Sequence, residues 1–348
     1  MGRPEGFGSF SERRCNMTTI DKAALHILDA AGSSLLSAAE LPLTGETSEY
    51  LLAHIEKSRK SPDKKAGTFY EDSECRKEIA AYLAGEKDFL AFSRTLAESF
   101  LRAFSHAAEA ASMLLFVLDA HEDERRELIV FLCRSHAGFS PAVVDTEGGL
   151  SAELSACGSL LPSASATMDE FAFVDLSTLA VHVRARRYSV DGNAIFVLPE
   201  LVLECGQAPS AREALKKASD TAKKVAEAYG GDAVETAAAV KSFVAGELAE
   251  KDAVNPLEVG REVFKGNPAM QADYERAIEE AGFAAPVEMD KESILKKMKN
   301  HKLKTDTGIE LVIPTDYFDN TEFVEFRRGE DGTISITLKQ IQNIVNRG

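Results

Sequence analysis

Apolar positions change their period several times along the chain, and each change marks an element. Residues 20–30 (IDKAALHILDA) and 33–42 are short apolar runs separated by Gly32, Ser33 and Ser34, which predicts a strand hairpin. Residues 47–60 read as a helix, followed by a polar link from Lys57 to Lys65 that contains Ser61-Pro62-Asp63. From Gly85, GEKDFLAFSRTLAESFLRAF places Phe89, Phe92, Leu96, Phe100 and Phe104 at three- and four-residue spacing. That spacing predicts a helix whose aromatic stripe packs in a core. SMLLFVLDA (112–120) and ELIVFLCRS (127–135) are dense runs of Val, Ile, Leu and Phe, with the charged HEDERR (121–126) between them. They predict two adjacent antiparallel strands joined by a solvated loop. Residues 148–166 are rich in Ser, Ala and Gly and predict a long loop.

Strand chemistry returns over 171–206, where Val181, Val183 and Ala185 alternate with His182, Arg184 and Arg186. Asp191-Gly192 is a turn signal before NAIFVLPEL. This first part predicts an antiparallel or mixed sheet with helices on one side. The pattern changes at Pro209. Ser210 and Glu213 form a capping box, Gly230-Gly231 stop that helix, and Asp232 with Glu235 start another. Asn255-Pro256 and Asn267-Pro268 each pair a cap residue with proline at the first helical position, and Gly266 and Gly282 close those segments. Residues 209–283 thus predict four helices. Alternation resumes in LKTDTGIELVIP, in residues 323–326 and in residues 333–338, with GEDG as a hairpin loop before the last.

The fold class is α+β: an N-terminal antiparallel or mixed sheet with flanking helices (17–207), a helical middle region (208–285) and a small C-terminal β unit (286–348). The leader, MGRPEGFGSFSERRCN (1–16), has no apolar stretch of the signal-peptide kind. It is expected to be a disordered extension or a misassigned start, with the structure beginning near Met17.

Composition narrows the function classes. The 348 residues carry a formal net charge of -16, with a pI near 5.0. Such a balance argues against whole-surface affinity for nucleic acid or an anionic membrane. A local basic patch remains open, because screening at physiological salt acts over about 8 Å. Cys15, Cys75, Cys133, Cys157 and Cys205 are odd in number, far apart and free of CxxC pairs. They argue against a disulfide framework or zinc site and fit a reducing cytosol. No apolar run approaches the roughly 20 residues of a membrane helix.

Catalytic signatures are missing. The sequence has no GxxxxGK(S/T), no GxGxxG after a strand, no GxSxG and no HExxH. His121 beside Glu122, Asp123 and Glu124 reads as a solvated loop rather than a metal cluster. Pro62-Asp63 begins a metal-dependent nuclease signature, but no acid-x-lysine follows on a strand, since 70–84 read as helix. No catalytic residue, metal or cofactor is expected.

The basic clusters are what remains. Lys216, Lys217, Lys223 and Lys224 repeat at seven residues on one helix face, opposite Ala211, Leu215, Ala218, Ala222 and Val225. Lys216 can pair with Asp220 and Lys223 with Glu227 at i,i+4, so a solvated face competes with an anion site. Arg184 and Arg186 point the same way from one strand, with Arg187 opposite, and suit phosphate or carboxylate equally. Lys296, Lys297, Lys299, Lys302 and Lys304, with His301, form the densest run. If all five lysines contacted phosphates, log affinity would fall against log salt with a slope of roughly -4 to -5. No aromatic residue interrupts them, so stacking on single-stranded bases is unsupported. No helix-turn-helix or zinc finger supports sequence-specific reading.

Four stretches together resemble the bacterial 37-kDa nucleoid-associated protein family, the NdpA/YejK-like group: IDKAALHILDAAGSSLLSAAELPL, GEKDFLAFSR, the pair LLFVLDA and LIVFLCR, and KLKTDTGIELVIPTDYF with DGTISITLKQI. The second and fourth are the specific ones, and the likeness runs collinearly from about 18 to 346. The resemblance implies a cytoplasmic, nucleoid-located protein with a DNA-associated role and no enzymatic activity. The family has no catalytic motif to carry over. The expected partner is double-stranded DNA, bound through local basic patches with little sequence preference. The alternative is an interaction module that docks on nucleoid-bound DNA-processing proteins or on a second copy of itself. No membrane partner is expected.

Overall fold

The computed structural model describes residues 18–29, 32–108, 112–146, 149–291, 294, 300–318, 320–329 and 332–343. The leader at 1–16 lies outside the described residues. The chain divides into two compact units, Met1–Ser58 with Ala66–Gln207 and Arg59–Lys65 with Ala208–Gly348.

The first unit is built on β1 (Thr19–Asp29), β2 (Lys65–Phe69), β3 (Ser112–Glu122), β4 (Arg125–Arg134), β7 (Glu170–Asp175), β8 (Val181–Arg184) and β11 (Cys205–Gln207). They form one sheet in the order β1-β3-β4-β7-β8-β2-β11. The middles of β3 and β4, residues 113–118 and 128–133, are unbroken apolar runs because both faces of this sheet are covered. On one face Leu115, Val117, Leu128 and Val130 meet α2 (Glu74–Leu83) and α3 (Phe89–Ser105). On the other, Leu114, Phe116, Ile129 and Phe131 meet Leu51 and Ile55 of α1 (Gly45–Arg59). The expectation of helices on one side is therefore corrected to helices on both.

The aromatic stripe of α3 behaves as its spacing predicts: Phe89, Phe92, Leu96, Phe100 and Phe104 are all buried. Each such side chain stabilises the fold by about 1.5–3 kcal/mol through removal from water. The Asp88 carboxylate starts the helix by accepting from the Ala91 amide at 2.7 Å.

Four local expectations change. Residues 33–42 do not form the second strand of a hairpin. They touch β1 through one bridge, Leu35 to Ile27, while β1 pairs along its length with β3. The long apolar β3 offers a better ladder than a run holding Ser, Glu and Pro42. HEDERR is mostly strand, because β3 runs to Glu122 and β4 starts at Arg125. Asp123, at φ 53°, turns the chain in two residues. The expected loop over 148–166 is mainly a strand: β5 (His136–Thr146) and β6 (Gly149–Leu160) pair as a long antiparallel hairpin. Finally, β9 (Arg187–Val190) and β10 (Asn193–Phe196) pair, but VLPELVL turns into a π-helical segment, Val197–Leu203, instead of continuing as strand. Pro199 within it cannot donate to a sheet ladder.

Asp119, Glu170 and His26 are among the ionisable side chains buried in this unit. Asp119 on β3 is fully buried and held by Arg126, whose Nε lies 2.9 Å from Oδ1, and by the Tyr82 hydroxyl. Glu170 on β7 accepts from the Tyr188 hydroxyl and from the Arg186 amide. Burial pushes its carboxyl up to about 7. His26 on β1 accepts from the Ser37 amide at Nδ1, which leaves Nε2–H to donate to Ser93 Oγ at 3.1 Å. Burial, aided by Arg94, lowers its pKa to about 4.

In the second unit the expected four helices form: α4 (Ala211–Ala228), α5 (Ala233–Glu250), α6 (Pro256–Val263) and α7 (Pro268–Glu280). Ser210, Asp232, Asn255 and Asn267 cap them as their positions predict. A second core joins Ala218, Ala222, Val244, Val259, Tyr274 and Ile278. Gly260 permits the closest approach in it: a Cβ there would meet Tyr274 Cδ1 at 2.1 Å. After the two-residue pair β12 (Ala253–Val254) with β13 (Val287–Glu288), the chain forms hairpins β14 (Asn300–Lys304) with β15 (Glu310–Pro314), and β16 (Val324–Arg328) with β17 (Ile334–Leu338). Ile313, Phe318 and Val324 pack on Ala238 of α5, which joins this β unit to the helices.

Candidate functional site

A cavity of about 630 Å³ opens in the second unit, between α4, α5 and the start of the C-terminal β unit. Helical spacing builds two of its walls. Arg212, Lys216, Ser219 and Lys223 follow one another at four, three and four residues along α4. Val234, Ala237, Lys241 and Val244 follow at three, four and three residues along α5. His301, Lys302 and Leu303 of β14 close the third side, with Ile294 and Phe318. The His301 ring stacks on Phe318 at 4.0 Å between centroids.

The floor is apolar and the rim is cationic. Five lining residues are lysine or arginine, and none of the lining residues is acidic, in a chain whose formal charge is -16. Two of the five are partly neutralised: Arg212 Nε lies 2.9 Å from Asp63, and Lys223 Nζ lies 3.4 Å from Asp220. Among the described residues Lys216, Lys241 and Lys302 form no ion pair. Lys241 donates to the Asn300 carbonyl, and burial lowers its pKa from the usual lysine value.

The loop Arg59–Lys65 braces the α4 wall. The Arg212 amide donates to the Pro62 carbonyl at 3.0 Å, and Lys65 pairs with Glu213 at 2.9 Å. Glu213 also completes the capping box with Ser210. Asp63, weighed as a nuclease ligand, is thus a partner of arginine. Among the described residues no group of three His, Cys, Asp or Glu is spaced to hold a metal ion. His121 pairs with Asp21 at 2.7 Å.

The expected site residues separate into groups. Lys216, Lys223 and Lys302 come together at the cavity. Lys217 and Lys224, one position further round α4, do not line it. The anticipated i,i+4 pairs do not form; Lys223 turns back to Asp220 instead of reaching Glu227. Lys304 pairs with Glu310 across the hairpin at 3.1 Å. Lys296, Lys297 and Lys299 lie outside the described residues. In the first unit, Arg184 donates to the Met168 carbonyl at 3.3 Å. The Arg186 guanidinium covers the Tyr188 ring at 5.3 Å and that of Arg187 covers Phe196 at 4.8 Å. These stacked arginines are tied to their own sheet.

Two rim residues escaped sequence reasoning. Arg212 could have been found by extending the Lys216–Lys223 stripe one turn toward the N-terminus. Lys241 stands alone on an apolar helix, and no spacing marks it. Among the described residues no helix is long and apolar enough to cross a membrane.

A family model described as nucleoid-associated protein YejK matches residues 24–345. No curated protein matches the chain.

Proposed function

Because the chain belongs to the nucleoid-associated protein YejK family, we propose that it works at the bacterial nucleoid in the cytoplasm, contacting DNA phosphates through the cationic rim of the second unit and catalysing no reaction. One observation carries this reading: five cations and no carboxylate line one opening in a strongly acidic protein. Lysine heads on flexible stems suit phosphate contact without base reading, because phosphates position a protein while base edges specify sequence. The sequence carries no helix-turn-helix or zinc-finger signature, so the proposed binding is indifferent to sequence.

The apolar floor favours a second reading. Val240, Val244, Leu303 and Phe318 add nothing to a phosphate contact, but they suit the apolar face of an acidic peptide from a nucleoid-bound protein. Direct titration separates the two. The double reversal K216E/K302E should abolish duplex binding at moderate salt for every sequence tested, while K217E/K224E, outside the cavity, should retain most of it. Unchanged binding by K216E/K302E rules out the rim as the DNA contact. A wild-type chain that ignores duplex DNA even in dilute buffer leaves only the docking reading.

A further inference from the structure

The cavity of the second unit makes two demands at once, and neither a phosphate backbone nor a plain hydrocarbon meets both. Leu215, Val240, Val244, Ile294, Leu303 and Phe318 line it, and apolar surface of this kind gains by being covered. Lys216, Lys241 and Lys302 line the same space, and among the described residues none of the three is in an ion pair. Lys241 is the sharpest case. It is half-buried, and it donates to one protein acceptor, the Asn300 carbonyl, although an ammonium carries three donors. A partly desolvated cation is costly until an opposite charge reaches it. The volume, about 630 Å³, is that of a small-molecule pocket.

We propose that this cavity binds a medium-chain carboxylate, a straight-chain fatty-acid anion whose tail covers the apolar lining and whose head pairs with Lys241 and the neighbouring lysines. The surroundings select a carboxylate head over a phosphate. Phosphate sites are built from amides at a helix start and from arginine forks. Ala233 and Val234 at the start of α5 line the cavity, but the Asp232 carboxylate already takes the Val234 and Glu235 amides. The Arg212 guanidinium is held by Asp63. What remains are single ammonium groups, which act as point charges, and one negative charge on a long tail matches them. This inference shares its site with the proposed DNA contact but not its test. No DNA is present in the experiment, so failure of duplex binding leaves the ligand assignment intact, and failure of the ligand leaves the DNA reading intact.

Isothermal titration of the full chain with hexanoate, octanoate and decanoate, up to roughly 1 mM, tests the proposal. Each added methylene should tighten binding about three- to fourfold. At equal chain length, 1-octanol should bind at least about fivefold more weakly than octanoate, and octylammonium should not bind. Lys241→Met should weaken octanoate by a similar factor and leave 1-octanol unchanged, whereas Lys217→Met, outside the cavity, should alter neither. Ala237→Phe, which fills the space from the α5 wall, should abolish binding of both; if it melts early, Ser219→Phe from the α4 wall replaces it with the same expected result. Absence of octanoate and decanoate binding overturns the assignment. So does affinity that ignores chain length, octylammonium binding as tightly as octanoate, or undiminished binding by a folded cavity-filling variant.

Discussion

Gly260 on α6 and Tyr274 on α7 are in contact so close that no side chain fits between them. The Tyr274 hydroxyl donates to the Pro256 carbonyl at 2.9 Å, which fixes the ring over the glycine. Any Cβ at 260 would fall 2.1 Å from the ring. Gly260→Ala should therefore destabilise the second unit by about 1–3 kcal/mol, the usual range for overpacking a tight core. Denaturant unfolding, followed by a probe in the helical region, measures it. An unchanged midpoint would mean that α6 and α7 are further apart than described.

The rim makes a quantitative prediction about salt. With three to five phosphates neutralised, the log-log slope of DNA affinity against salt should be roughly -3 to -5. Each single neutralisation, Lys216→Gln or Lys302→Gln, should reduce that slope by about 1. Lys304→Gln, whose side chain already pairs with Glu310, should change it little. Fluorescence anisotropy over a salt series distinguishes the cases.

Glu170 and His26 should pull stability in opposite directions with pH. Glu170, raised from 4.5 to about 7, holds an extra proton in the folded state, so its contribution is present at low pH and is lost as pH rises from 4.5 toward 7. His26, lowered from 6.5 to about 4, stays neutral when folded, so its contribution is present above 6.5 and is lost as pH falls toward 4. Each spans on the order of 3 kcal/mol, and the two nearly cancel between about 4.5 and 6.5. Glu170→Gln should unmask the histidine, giving a protein that weakens steeply on acidification below 6.5. Chemical denaturation at pH 5 and pH 8 reads this directly, and parallel pH profiles for wild type and variant would contradict it.

Arg126 shields a carboxylate that has no contact with water. Arg126→Met removes that partner and leaves Asp119 with Tyr82 alone. A loss of about 3–5 kcal/mol is expected, as for other broken buried pairs. Combining it with Asp119→Leu should recover part of that loss, because the uncompensated charge disappears as well. Thermal unfolding of the four proteins in the cycle gives the coupling.

Much of this architecture is legible from local pattern alone, and the exceptions share a cause. The α3 stripe, the β3 and β4 runs and the caps at Ser210, Asp232, Asn255 and Asn267 are strong because sequence neighbours carry the signal. The β5–β6 hairpin was hidden because its serines, alanines and glycines look like loop, and only the ladder between distant positions reveals it. Residues 33–42 misled because an apolar run says nothing about which strand will claim the partner. The cavity was half visible: lysine spacing pointed to α4, but the 100° step between Lys216 and Lys217 decides which side chain reaches the opening. Lys241 and Lys302 meet α4 only through packing that no periodicity encodes.

The seven residues from Arg59 to Lys65 belong to the second unit, although the chain returns to the first for another 142 residues before supplying the rest. On the ribosome this short loop emerges early and waits, its docking partner unmade, until Arg212 is translated. A fragment starting at residue 208 would lack it and, with it, the ligand for Arg212 and the lysine that meets Glu213. Removing the first unit is therefore never a clean excision: the severed half would carry its groove with one wall unbraced.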